Sequence, residues 1–362
     1  MTVNNATSAI KSAIVAAIMS LGAGAALAQA APNVTLFGVM DEYGTYVKPQ
    51  GSAAVKRLDS SGMLASRWGA RGSEDLGDGL SVNFTLEFGL NANDGSAADS
   101  NRAANRQSWV GLAGGWGEVR LGRQNTPQFF MNGKFDAFNG GTQASGWNNM
   151  SGTAPRVDSA VGYFSPVISG LKGQLLVGRG AAPAGPILAQ TRANQTLHAA
   201  LEYETKTAYL GLNHEVIDNA SVAYTTRRTG LGASYAVSDR WRIFGAIGHE
   251  SRSDSSLKLN LYSVSAAWQV APLASLAFGY FKLTDDLSGA GHGGADQSSV
   301  LYRYSLSKRT TIYTGIAHLQ QHGLRNSFSF GGAAVVQAGA RPTTLVPGGA
   351  IDGYQLGVTH TF

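Results

Sequence analysis

The sequence contains no cysteine in its 362 residues, and only 14% of them are charged, where ordinary soluble domains carry about 25%. The missing thiols exclude disulfide scaffolds, zinc–thiolate sites, iron–sulfur clusters and cysteine nucleophiles. Beyond Ala31 the chain also lacks any uninterrupted apolar run of about 18 residues, so no helix there can span a bilayer. Disorder is excluded too, because it needs low hydrophobicity with high net charge, whereas 43% of the residues are apolar and the net charge is +5. What the chain has in excess is glycine, at 47 residues.

The first segment stands apart from the rest. Lys11 precedes a stretch from Ser12 to Ala28 built almost wholly of Ala, Ile, Val, Leu, Met and Gly, and Ala28-Gln29-Ala30 supplies a small-x-small cleavage site. Residues 1–30 therefore read as a secretory signal peptide, and residues 31–362 as the exported body of the protein.

In that body the apolar residues recur with period two. Val82, Phe84, Leu86, Phe88 and Leu90 alternate with Ser81, Asn83, Thr85, Glu87 and Gly89; Leu197, Ala199, Leu201 and Tyr203 alternate with Thr196, His198, Ala200 and Glu202. The last strand repeats the pattern through Tyr354, Leu356, Val358 and Phe362, with His360 the one polar residue on its apolar face. Such alternation puts one face of a strand in an apolar medium and the other in water.

Sixteen segments of this kind are found, centred near Gly38, Gly69, Thr85, Trp109, Leu121, Val161, Leu175, Ala200, Leu212, Leu231, Phe244, Val264, Phe278, Tyr302, Thr314 and Gly357. The connections alternate between tight turns, such as Gly114 to Gly117 or Ser307 to Arg309, and long loops, such as Asn91 to Asn105, Thr126 to Pro155 and Gln320 to Gly349. Tight turns on one side and long loops on the other, with an even strand number, characterise a transmembrane β-barrel. In lipid every backbone polar group must be paired within the protein, so without helices the sheet has to close. The expected fold is all-β: a 16-stranded antiparallel barrel, too wide for its own side chains to fill. Trp68, Trp109, Tyr203, Trp241, Trp268, Tyr302, Tyr304 and Tyr354 are placed on the outward parity, at the headgroup level. Between Leu261 and Tyr262 the apolar parity switches, which predicts a bulge there or a strand projecting beyond the membrane. A secreted β-sandwich or β-helix also has alternating strands, but does not predict the long–short rhythm.

Three sets of residues carry a family resemblance: Asn33-Val34-Thr35-Leu36-Phe37-Gly38 with Asp41, the run Ser66-Arg67-Trp68-Gly69-Ala70-Arg71-Gly72-Ser73-Glu74-Asp75-Leu76-Gly77, and Val110-Gly111-Leu112 with Leu121-Gly122-Arg123-Gln124. With them the mature chain resembles the trimeric general porins of Gram-negative bacteria, in the β-proteobacterial branch of Burkholderia, Bordetella and Neisseria type. The resemblance implies a multi-pass protein of the outer membrane, in lipid and lipopolysaccharide, forming a homotrimer that passes small ions and hydrophilic solutes. Phe362 then resembles the terminal signal read by the barrel-assembly machinery.

It also implies that the third long loop, Thr126 to Pro155, folds inward and narrows the channel. Phe129, Phe130, Phe135, Phe138 and Trp147 on this loop fit that reading, because exposed loops seldom hold so many aromatics. By likeness to the family, the basic wall of the constriction is assigned to Arg67, Arg71, Arg106 and Arg156. Arg67 and Arg71 share the parity opposite to Trp68, and an arginine on the lipid face near mid-membrane would cost roughly 2–4 kcal/mol. The loop offers Asp136 as its only carboxylate, with Lys134 two residues away, so a mild anion preference is expected. Glu87 and Arg303 are further luminal candidates.

Nothing points to an enzyme, a cofactor or a metal. The seven histidines are scattered, and His318 and His322 lack the acidic neighbours of a zinc-protease helix. The glycine-rich stretch Gly111 to Gly122 has no following Gly-Lys-Ser/Thr, and the basic residues form no nucleic-acid patch. Two alternatives to a general diffusion channel stay open: a substrate-specific channel, and an adhesin or receptor barrel acting through its extracellular loops.

Overall fold

The computed structural model describes residues 33–152, 154–179, 195–218, 224–325, 328, 330 and 346–362. The export leader expected over residues 1–30 lies outside the described residues, as does much of the two connections 180–195 and 320–349. The strands are β1 (Asn33–Pro49), β2 (Val55–Ser60), β3 (Arg67–Gly77), β4 (Leu80–Asn91), β5 (Ser96–Ala97), β6 (Gln107–Gly114), β7 (Gly117–Asn125), β8 (Arg156–Phe164) and β9 (Leu171–Arg179). They continue as β10 (Gln195–Glu204), β11 (Ala208–Asp218), β12 (Thr225–Ala236), β13 (Trp241–Arg252), β14 (Lys258–Ala271), β15 (Ala274–Asp285), β16 (Ala295–Ser305), β17 (Thr310–Gln321) and β18 (Ala350–Thr361). Each of the sixteen expected centres falls in its own strand. The other two, β2 and β5, are short pieces that double back on β1 and β4.

Neighbouring strands pair antiparallel around the whole ring, and β18 returns to β1 with a register from Val39 opposite Thr361 to Pro49 opposite Ile351. The sheet is therefore a closed cylinder of sixteen long strands among the described residues, with no free edge to satisfy in lipid. Outward positions carry aliphatics that stay exposed around the circumference, among them Leu86, Leu175, Leu212, Ile247, Val264 and Leu356. A continuous apolar band of this extent is a liability in water but is the solvated surface in a membrane. Stacked outward aromatics, Trp241 on Trp268 at 5.3 Å and Trp68 on Phe88 at 4.5 Å, belong to the same face.

Two details differ from the alternation argument. Trp109 points inward, since its neighbours Val110 and Leu112 hold the outward positions, and the Arg120 guanidinium lies 4.1 Å over its ring. The expected bulge at Leu261/Tyr262 is absent: β14 pairs with β13 in one unbroken register from Lys258 to Trp268, and its irregularity comes later, between Gln269 and Ala271. Leu259 and Leu261 simply face inward. They are buried because the inside of this half of the barrel is dry, packed with side chains of the 126–155 connection.

At the seam, the buried Asp41 carboxylate of β1 accepts hydrogen bonds from the backbone N–H groups of Gly62, Met63 and Leu64 at 2.8–3.1 Å, and from Tyr313 Oη of β17 at 2.7 Å. This one carboxylate ties the closing strands to the turn that leads into Arg67. Gly357 of β18 leaves the space: a Cβ there would meet the Tyr313 ring and stand 2.7 Å from Tyr43 Cβ. Replacing Gly357 with Ala is expected to destabilise the folded barrel by about 1–3 kcal/mol. The shift of the urea midpoint for the folded, heat-modifiable band on a gel measures it.

Candidate functional site

The connection between β7 and β8 decides the shape of the lumen. Both strands carry a bulge at its roots, between Gly122 and Gln124 and between Asp158 and Val161, and bulges bend strands. Gly122 has φ +126°, with its Cα packed too close to the β6 backbone for any side chain. The base of the connection is closed by Thr126, whose N–H donates to Pro155 O at 3.0 Å and whose hydroxyl donates to Ala154 O at 2.9 Å while capping α1 (Pro127–Asn132) through Phe129 N. A second short helix, α2 (Gly146–Met150), is capped by Ser145.

From that base the chain crosses to the far wall. Ala137 N donates to Ser265 Oγ of β14 at 3.0 Å, Gln143 N to Gln355 Oε1 of β18 at 3.0 Å, and Asn149 Nδ2 to Gln297 Oε1 of β16 at 2.9 Å. Met131, Phe135, Phe138 and Trp147 are almost wholly buried against inward side chains of β11 to β17, with Phe135 edge-on to Trp147 at 5.2 Å. Glycines on the inner wall make their seats. A Cβ on Gly232 would run into Phe135, and one on Gly279 would stand 2.5 Å from Phe138. Part of the large glycine content is thus explained by close approach of the wall to the aromatics it receives.

Against the other wall lies a cavity of about 370 Å³. On the barrel side it is lined by Arg67, Glu87, Arg106, Gln107, Asn125 and Arg156, and on the loop side by Phe129, Phe130, Asn132, Gly133, Asn139 and Asn148. Glu87 is buried between two guanidinium groups: it is bonded to Arg106 Nε, lies 3.5 Å from Arg67 Nε, and accepts from Gln107 Nε2 at 2.8 Å. Arg156 donates from Nε to Asn125 Oδ1 at 3.1 Å and sits 5.4 Å over the Phe129 ring.

The structure brings three of the four expected arginines together and leaves the fourth out. Arg71 keeps the inward face but lies four residues along β3 from Arg67, about 13 Å nearer the tight-turn end, paired between Thr35 and Thr85 and stacked over Phe37 at 5.4 Å. The two loop charges also lie elsewhere. Asp136 is wholly buried, accepting from Phe138 N at 2.8 Å and from Ser145 Oγ at 2.5 Å. Burial pushes its carboxyl above the usual carboxylate range against the pull of those bonds, which lessens its weight as a fixed negative charge. Lys134 is spent on the wall, at 3.0 Å from Glu202 and 2.8 Å from Glu204. Arg303 lies half-buried beneath the loop and donates to Ala137 O at 3.0 Å. These three hold the loop in place, and only Glu87 of the additional candidates reaches the cavity. Phe129 and Phe130 were legible only as part of an aromatic cluster; nothing in their spacing told which of the five rings would stay wet.

A closed strand cylinder with an apolar outside, an inside partly filled by its own 126–155 connection and a polar cavity against one wall is a channel barrel of an outer membrane. The chain belongs to the Gram-negative porin family, whose pattern matches residues 12–324. It is 31% identical over 366 residues to an outer membrane porin protein of Bordetella pertussis, covering 84% of this chain and 92% of that protein. To outer membrane porin protein 32 of Delftia acidovorans it is 28% identical, over 98% of this chain and 100% of the relative. Among solved structures it is similar to an anion-selective porin from Comamonas acidovorans, with a TM-score of 0.74 and 25% identity across 91% of this chain and 100% of that one. The protein is accordingly a multi-pass outer-membrane porin, through which small hydrophilic solutes diffuse.

Since Asp136 is turned into the packed loop, Asp136→Asn is expected to leave the potassium chloride reversal potential unchanged. The same change should lower stability by roughly 1–3 kcal/mol through its weakened bonds. Reversal potential and chemical unfolding, measured on one preparation, check both halves.

Proposed function

We propose that diffusion through this porin is weakly anion-selective, with Arg67, Arg106 and Arg156 as the basic wall of a constriction and the 126–155 loop as its other side. The observation that carries this reading is the charge around the cavity: three guanidinium groups and one carboxylate, Glu87, with no carboxylate on the loop face among the described residues. Fixed charge on the wall of a water-filled pore selects the ion that passes. The likeness to a structure described as an anion-selective porin supports the same sign. A homotrimer in lipopolysaccharide-bearing membrane, inserted by the barrel-assembly machinery through Phe362, belongs to this reading. So does removal of residues 1–30 on export. In support of the Phe362 assignment, its ring lies against Gly38 of β1 on the outer face, beside the backbone pairing of Gly38 with Phe362 O at 3.0 Å.

A unit charge about 7 Å from a passing ion in this mixed medium is worth on the order of 1 kcal/mol. Arg156→Gln is therefore expected to lower the anion-to-cation permeability ratio several-fold at low salt, and Glu87→Gln to raise it. At 1 M salt, where the screening length is about 3 Å, both effects should shrink. Planar-bilayer reversal potentials in potassium chloride gradients test this; a ratio indifferent to both substitutions removes the basic wall.

A further inference from the structure

The geometry points to a constriction that favours organic anions with a flat apolar body, aromatic carboxylates above all, over inorganic or aliphatic anions of equal charge. This deepens the anion-selective reading and depends on it. Of the five aromatics on the loop, Phe135, Phe138 and Trp147 are consumed in the packing that fixes it. Phe129 and Phe130 are not: Phe130 is 42% exposed, both line the cavity, and their rings meet edge-on at 6.0 Å. The Phe130 ring, held in water, gains nothing from burial until a solute with an apolar face lies on it.

Beside Phe130, over the neighbouring Phe129, stands the group such a solute needs. Arg156 has no carboxylate partner in an ion pair among the described residues, and its guanidinium stacks on Phe129 at 5.4 Å. A stacked guanidinium keeps its edge donors available, and their fork matches the two oxygens of a carboxylate. Arg106, by contrast, is engaged with Glu87. A benzoate-like anion can thus lay its ring against Phe130 while its carboxylate meets Arg156. At about 370 Å³ the cavity is at the small end of ligand clefts, large enough for one such ring.

The test is bi-ionic reversal potentials of the full-length porin in planar bilayers, with chloride on one side and benzoate or acetate on the other. The expected result is a benzoate permeability at least about two-fold above that of acetate, against the order of their mobility in water. The advantage should vanish in Phe130→Ser and persist in Phe130→Leu, which keeps the apolar surface. Acetate passing as well as benzoate in the wild-type channel overturns the inference, as does an undiminished benzoate advantage in the serine variant. Should Phe130→Ser fail to fold, the wild-type comparison and Phe129→Ser decide. A cation preference in potassium chloride would instead show that the anion-selective reading itself fails, which separates the two.

Discussion

Everything in this molecule depends on the requirement that no backbone N–H or C=O be left unpaired in hydrocarbon. The requirement turns a chain of short alternating strands into a closed ring, and closure has to occur at one seam, where β1 meets β18 across the register from Val39 to Pro49. Asp41 of β1 sits at that seam on the inner side, and its hydrogen bonds reach across to Tyr313 of β17 and on to the turn before Arg67. The device that closes the barrel is therefore continuous with the segment that brings Arg67 to the cavity.

Closure creates an interior too wide for wall side chains to fill, and the chain meets this with a 126–155 connection turned inward. The result is a barrel with two different insides. Along β14 to β17 the inner face is a packed apolar core, in which Phe281, Leu283, Leu301 and Leu319 are wholly buried or nearly so. Along β3 to β8 it is wet and charged. The loop's own ions, Lys134 and Asp136, are consumed in fastening it, so the charged side chains that line the cavity come from the wall.

The strand number, the centre of every long strand, the inward placement of Arg67, Arg71 and Glu87, and the outward Trp68 were all legible from parity, because a strand exposes alternate residues to opposite media whatever surrounds it. Parity failed where its premise failed. Leu259 and Leu261 looked like a register fault because an inward leucine has no place in a water-filled lumen, yet they border a packed loop. Trp109 looked like a membrane anchor because indole is common at the headgroup level, yet Arg120 covers it from within.

The amino-acid order by itself determined the period, the rhythm of turns and loops and hence the closed barrel, since these depend only on local alternation and on the solvent each face must meet; the family rested on the motifs around Asp41, Arg67 and Gly122. Which charges share the cavity was decided by the tertiary structure. Arg67, Arg106 and Arg156 are separated by long stretches of chain and converge only because the strands curl into a ring; Asp136, close to Phe130 in the chain, is carried away from the cavity by a hydrogen bond from its own loop's Ser145. Contact across a barrel is a property of register and closure, and neither is written in the residues one at a time.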